Sequence, residues 1–152
     1  MNNEFFNKCI YLGGNIGIFI YYLNHDDGSF PYISIEDIDI EKGINTLFNF
    51  NLEEITDEYQ FNGYPHLNDL VKINNKRFSY ISTSKDKIIL YIILFDLYNN
   101  NEKINIRYYK IYLFDLYNYK IYLDLTSIVY NNFLVISMSV CNSLQCDNKD
   151  TD

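Results

Sequence analysis

The stretch FSYISTS, residues 78–84, decides how the fold is interpreted, because FLVISMS at residues 133–139 has the same pattern, F-x-x-I-S-x-S. The two copies are 55 residues apart, and three further apolar-rich segments lie between them. One strand with the motif, three more strands and then the motif again is the layout of a four-stranded unit that starts anew. The pattern therefore predicts repeated antiparallel units in which Phe78 and Phe133 occupy equivalent positions.

The pentapeptide FDLYN occurs twice in the same region, at residues 95–99 and 114–118. Each copy follows a run of strand-forming residues, so the copies are expected to end two neighbouring strands of one unit. Phe and Leu, two residues apart, would then face the same core layer, while Asp and Asn would close the turns. Because Ile, Asn and Tyr dominate the chain, a chance match is the alternative explanation for both repeats.

Strand-forming residues extend through the whole chain, which contains no Ala and no Trp. Ten strands are predicted between polar, turn-like segments, at residues 9–12, 17–23, 32–35, 38–40, 69–73, 77–82, 88–97, 104–114, 119–125 and 133–140. A change in the parity of the apolar residues predicts a bulge near residues 36–37. A short helix is the alternative for residues 36–50, and residues 52–60 are expected to form a loop or an edge.

Together these segments predict an all-β protein of antiparallel meander sheets that form partial β-propeller-like blades. A two-layer β-sandwich is the alternative. Residues 1–152 suit a single domain or a fragment, with sub-units at residues 1–60 and 68–146. Two or three blades do not close a ring, so we expect the chain to close as a sandwich, to self-associate through open sheet edges, or to be unstable alone.

The net charge of −8 points away from two classes of partner. Nucleic acids and anionic membrane surfaces both require clustered Lys and Arg, so neither partner is predicted. Residues 9–23 form a mostly apolar stretch that is too short to span a bilayer, and it makes a poor signal peptide. No membrane span is therefore predicted.

Arg107, Tyr108 and Tyr109 form the one cluster that suggests ligand contact. An arginine beside tyrosines suits a glycan or peptide ligand, through stacking and hydrogen bonding. The alternative is an arginine on an edge strand whose aliphatic stem covers apolar surface.

No catalytic motif, metal site or cofactor is predicted. Asp37, Asp39 and Glu41 have a spacing that calcium could use, but alternate acidic residues more simply describe a hydrated strand face. A glycan-acting hydrolase remains an alternative, because its two carboxylates need not be close in sequence. A third alternative is an intracellular interaction protein with reduced cysteines.

Three cysteines are present, which is an odd number. Cys141 and Cys146 enclose four residues, a spacing that fits either a tight disulfide loop or two unrelated thiols. Cys9 would then have a partner elsewhere or remain a buried free thiol.

The segment FNKCIYL at residues 6–12, the segment GIFIYY at residues 17–22 and the four-strand cadence resemble parts of cysteine-containing, β-propeller-like ectodomains in large, uncharacterised surface proteins. The resemblance covers part of the chain and includes no catalytic motif. It implies secretion, a local Cys141–Cys146 bridge, and an extracellular binding or scaffolding role toward a protein or glycan. It assigns no functional residue.

Overall fold

A computed structural model of the chain describes residues 4–25, 28–56, 68–84, 89–113 and 120–142. These residues form ten strands and one short helix. In chain order they are β1 (Glu4–Gly13), β2 (Ile16–His25), β3 (Gly28–Asp39), β4 (Gly43–Asn51), α1 (Leu52–Thr56), β5 (Asn68–Asn74), β6 (Arg77–Thr83), β7 (Ile89–Tyr98), β8 (Lys103–Tyr112), β9 (Lys120–Tyr130) and β10 (Phe133–Asn142).

The strands form three antiparallel sheets, and each sheet follows the order of the chain. The first sheet has the order β1-β2-β3-β4, the second has the order β5-β6-β7-β8, and β9 and β10 form a separate two-stranded hairpin. The predicted all-β class with antiparallel meander sheets is confirmed. The second sheet begins with β5, one strand before the F-x-x-I-S-x-S strand that was expected to open the unit.

The three sheets pack as three layers around two cores. Large buried side chains from the first and second sheets form the first core: Leu12, Ile18, Ile20, Ile33, Ile35, Phe78, Tyr80, Ile93 and Phe95. Residues of the second sheet and the hairpin form the other core: Ile81, Leu90 and Leu125, with Val71, Ile92, Leu134, Ile136 and Met138 packed around them. The two middle strands of the second sheet are thus covered on both faces: β6 is buried from Phe78 to Thr83 although it contains serines and a threonine, and β7 is almost continuously apolar.

The predicted equivalence of Phe78 and Phe133 is wrong. Phe78 is fully buried and stacks on Phe95, with ring centroids 4.6 Å apart, whereas Phe133 is 71% exposed. β6 begins at Arg77 and β10 begins at Phe133. Counted from the start of each strand, Phe78 therefore corresponds to Leu134 and not to Phe133. The alignment of the two F-x-x-I-S-x-S motifs is therefore shifted by one residue from the alignment of the two strands. A one-residue shift moves every side chain to the other face.

The prediction for the first FDLYN copy is confirmed for Phe95, Leu97 and Asn99 and is wrong for Asp96. Phe95 and Leu97 are buried, while Asn99 has a left-handed φ of 51° in the turn after β7. Asp96 faces the opposite side of the sheet and accepts hydrogen bonds from arginines instead of closing the turn. The second copy, at residues 114–118, lies outside the described residues.

β9 is longer than the sequence predicts. β9 continues to Tyr130, so the loop expected at residues 126–132 is reduced to a two-residue turn of Asn131 and Asn132. Both asparagines have positive φ angles, 45° and 65°, and asparagine tolerates this conformation better than most residues. The β-branched and aromatic residues at 126–130 favour continuation of the strand.

Residues 52–56 form a helical turn where a loop or an edge was expected. The side-chain oxygen of Asn51 accepts the backbone N–H of Glu53 at 3.0 Å, which caps the turn, and Leu52 is fully buried. The helix considered for residues 36–50 is absent, because β3, a turn and β4 occupy that range. The bulge predicted near residues 36–37 lies on the partner strand: β4 has Leu47 as an extra residue opposite Ile35 and Glu36, whereas β3 pairs with β2 without a break there.

Asp69 links the first strands of the three sheets. Its Oδ1 accepts a hydrogen bond from Lys8 Nζ of β1, and its Oδ2 accepts the backbone N–H and the hydroxyl of Ser127 in β9, at 2.7 and 2.6 Å. The Asp69 side chain is only 8% exposed. One carboxylate on β5 therefore holds β1 on one side and β9 on the other.

Tyr80 in the first core makes the stability sensitive to alkaline pH. Burial raises the pKa of its hydroxyl above the ordinary 10.0, although hydrogen bonds from Tyr22 and Ser82 oppose the shift. The unfolded chain therefore loses this proton at a lower pH than the folded chain. The stability that the folded chain gains from keeping this proton is fully present below pH 10.0. It is lost as the pH rises through the pKa of the folded chain.

Tyr80→Phe has no ionisable hydroxyl at this position, so we expect it to remove this part of the dependence of stability on pH. Above pH 10, the free energy of unfolding of the variant should fall less steeply than that of the wild type, by about 1.4 kcal/mol per pH unit. Urea unfolding followed by circular dichroism at several alkaline pH values measures both slopes. Identical slopes would show that Tyr80 ionises equally in the folded and unfolded chains.

Candidate functional site

The hairpin covers only part of the second sheet and leaves a cleft of about 530 Å³ beside it. This space, called the hairpin cleft below, is lined by Ile73, Arg77, Ile92, Leu94, Tyr109, Lys110, Ile111, Val129, Asn132 and Leu134. Tyr109 and Ile111 on β8 remain 49% and 45% exposed. β8 is the last strand of the second sheet, so the open side of the cleft lies at a sheet edge.

The two arginines of the chain meet at the hairpin cleft. Asp96 on β7 accepts a hydrogen bond from Arg77 Nε and another from Arg107 Nη2, the latter at 3.1 Å. The arginines come from the strands on either side of β7, as the pairing of Asp96 with Arg77 and of Leu94 with Arg107 requires. Two guanidinium groups around one carboxylate leave a net positive charge beside an apolar cleft, in a chain whose net charge is −8.

Of the three predicted ligand-binding residues, the structure places Tyr109 in the lining of the cleft and Arg107 beside it, at Asp96. Arg107 and Tyr109 lie on the face of β8 that looks toward the hairpin, and Tyr109 lines the cleft. Tyr108 points to the opposite face, because neighbouring side chains alternate along a strand, and it is 42% exposed there. The three residues therefore do not form one contact surface.

The sequence alone does not predict that Arg77 and Asp96 belong to this site. The FDLYN pattern predicts that Asp96 closes a turn, and Arg77 is only the first residue of a predicted strand. Their contact depends on the register between β6 and β7, which joins residues 19 positions apart. The one available signal was the scarcity of arginine, since both arginines of the chain fall within the predicted meander.

The outward face of the hairpin carries an exposed apolar patch. Ile128 pairs directly with Val135, and Tyr130 pairs directly with Phe133. Their side chains are 60%, 45%, 65% and 71% exposed, in that order. Four large side chains in two adjacent cross-strand pairs form a contiguous surface, and exposed surfaces of this kind are often interaction sites.

Of the acidic residues considered for calcium, Asp39 has a structural role. Asp39 Oδ1 accepts the backbone N–H groups of Glu41 and Lys42, at 2.9 and 3.0 Å, and thereby closes the turn between β3 and β4. The described part of the chain contains no cluster of three or more side chains arranged to hold a metal ion.

The cysteine expectations have different outcomes. Cys9 is a free thiol, but it is exposed and not buried, because it lies opposite Phe19 on the face of the first sheet that points away from the core. Cys141 belongs to β10, whereas Cys146 lies outside the described residues. No disulfide is present within the described ranges, and the Cys141–Cys146 bridge stays a prediction.

Comparison with known proteins gives no match to a family model, a curated protein or a solved structure. The class of the protein is therefore defined by its fold, an all-β arrangement of antiparallel meander sheets in three layers. Within the described residues, no helix has the length and apolar character needed to cross a membrane.

Proposed function

We propose that the protein is a non-enzymatic binding module that holds an extended segment of another polypeptide in the hairpin cleft. The observation that carries this proposal is the half-exposed pair Tyr109 and Ile111, which continues an otherwise buried apolar surface into solvent beside the hairpin. A surface of this kind is stabilised when a partner covers it.

Two strand edges beside the cleft favour a polypeptide as the ligand. β8 hydrogen-bonds only to β7, and β10 hydrogen-bonds only to β9 in the described sheets. An extended segment that pairs with such an edge gains main-chain hydrogen bonds, and every second side chain points toward the cleft. The ligand segment should therefore alternate apolar and polar residues.

The arginine pair adds a charge preference. Asp96 balances one of the two guanidinium charges, and the side chain of Arg107 is 46% exposed. A carboxylate on the ligand can therefore reach Arg107 without displacing Asp96 completely. We expect an acidic residue within the bound segment, next to the apolar positions.

The glycan-hydrolase alternative has less support. Hydrolysis of a glycosidic bond generally uses two carboxylates roughly 5–10 Å apart. Among the residues that the structure describes, none that lines the hairpin cleft is Asp or Glu, and the adjacent Asp96 is engaged by both arginines. A binding function agrees better with this arrangement.

The apolar patch on the outward face of the hairpin gives the proposal a scaffolding aspect. Ile128, Tyr130, Phe133 and Val135 lie on the opposite side of the hairpin from the cleft, so a second partner can bind there while the first is in place. The β-propeller-like, secreted interpretation belongs to the same proposal. The sequential order of both four-stranded sheets and the contacts of Asp69 with β1 and β9 favour its β-propeller-like part, and its secreted part rests on the sequence resemblance alone.

Selection from a phage-displayed library of random twelve-residue peptides tests the proposal. Peptides enriched on the wild-type protein should alternate apolar and polar residues and should contain Asp or Glu. Tyr109→Ala should weaken their binding at least about tenfold, which is typical of a central tyrosine. Tyr108→Ala is the matched control, since it removes the same side chain, of similar exposure, from the opposite face. Enriched peptides that bind the two variants equally well would contradict the proposal.

A further inference from the structure

A second cavity, of about 400 Å³, lies on the face of the first sheet that points away from the core. It is lined by Phe19, Tyr21, Ser34, Glu36, Ile44, Thr46 and Asn49. It differs from the hairpin cleft because it combines aromatic rings with a carboxylate, and because its lining in the described part of the chain contains no lysine or arginine. We call it the sheet-face pocket.

Glu36 is the charged group of the sheet-face pocket. Its Oε1 accepts a hydrogen bond from the hydroxyl of Ser34, which is only 6% exposed. Its Oε2 is buried and has no hydrogen-bond partner among the described residues. A buried carboxylate oxygen without a donor is unfavourable, so a ligand that supplies a donor gains from meeting it.

The two aromatic rings of the pocket are held in place. A Cβ at position 17 would lie 2.9 Å from the ring of Phe19, so Gly17 is needed for that ring to lie flat across β2. Tyr21 stacks on Tyr32 with ring centroids 5.5 Å apart, and its hydroxyl accepts a hydrogen bond from Asn49 Nδ2 at 2.9 Å. Rings that are fixed before binding lose little conformational entropy when a ligand arrives.

We propose that the sheet-face pocket binds a small organic ammonium ion. The ammonium group has three donors and no acceptor, which matches the unpartnered oxygen of Glu36 and the neighbouring oxygen of Thr46. Its hydrocarbon part packs on Phe19 and Tyr21, whose ring faces also attract a cation. The net charge of −8 favours the approach of a cation. This site is separate from the hairpin cleft and does not depend on the function proposed for it.

The test compares 2-phenylethylammonium with 2-phenylethanol, which has a similar shape and no charge. Titration of the isotope-labelled protein, followed by amide NMR shifts, should show saturable binding of the ammonium ion with the largest shifts at Phe19, Ser34 and Glu36. The alcohol should bind at least about tenfold more weakly, because it cannot form the ion pair with the carboxylate.

Glu36→Gln should weaken binding of the ammonium ion at least about tenfold as well. Glu41→Gln is the matched control, because it removes the same charge from an exposed turn of the same sheet and should leave the affinity unchanged. Equal affinities for the ammonium ion and the alcohol would overturn the proposal, and so would unchanged binding by Glu36→Gln or the absence of saturable binding. If Glu36→Gln does not fold, the comparison of the two ligands on the wild-type protein decides.

Discussion

Phe78→Ala is expected to lower the free energy of unfolding by about 4 kcal/mol, whereas Phe133→Ala should change it by less than about 0.5 kcal/mol. Phe78 is fully buried, and its ring stacks parallel to that of Phe95, with an interplanar angle of 3°. Its removal leaves a cavity between the first and second sheets. Phe133 is 71% exposed, so the corresponding truncation opens no cavity.

Denaturant unfolding of the two variants, followed by far-ultraviolet circular dichroism, measures both effects. The pair is well matched, because each substitution removes a phenylalanine from the first position of an F-x-x-I-S-x-S motif. Losses within about 1 kcal/mol of each other would mean that the two residues occupy equivalent positions. In that case the one-residue shift between the motif alignment and the alignment of β6 with β10 would be incorrect.

Asp69→Ala is the second large expected effect, a loss of about 3 kcal/mol. The substitution removes the acceptor for the backbone N–H and the hydroxyl of Ser127 and leaves Lys8 without its partner. Ser127→Ala, which keeps the backbone hydrogen bond, should lose only about 1 kcal/mol. The difference between the two variants isolates the role of the carboxylate as a link between strands.

Hydrogen exchange should locate the effect of Asp69→Ala. The amides of β9 and β10 should exchange faster, because the hairpin loses its anchor on β5, while the amides at the centre of β3 should keep their protection. Uniformly faster exchange in all three sheets would show that Asp69 supports the whole fold and does not specifically hold the hairpin.

The fold class and most strands followed from the sequence because strand propensity and turn residues are local signals. The strands predicted from residue 69 onward all occur, although β9 is longer than expected. The helix at Leu52–Thr56 was not predicted because its sequence is short and acidic, and its cap depends on a hydrogen bond that the Asn51 side chain accepts from the backbone N–H of Glu53, which composition does not reveal. Propensity is a weak guide over five residues.

The register and the sites were harder to predict, because they depend on contacts between distant residues. Both copies of the 55-residue match lie in strands, β6 and β10, but the turn that precedes each strand sets which face a side chain occupies. The alternation of side chains along β8 likewise places Tyr108 on the opposite face from Arg107 and Tyr109. The sheet-face pocket brings Phe19 and Glu36 together across neighbouring strands, and no local motif marks such a pair.

The central claim is that the second sheet lies between the first sheet and the hairpin, and methyl NOEs test it most directly. We predict cross-peaks from the Leu125 methyl groups to Ile81 and Leu90, which share the second core. We predict none from Leu125 to Ile33, which lies in the first core. Cross-peaks between Leu125 and Ile33 would place the hairpin against the first sheet and contradict the three-layer arrangement.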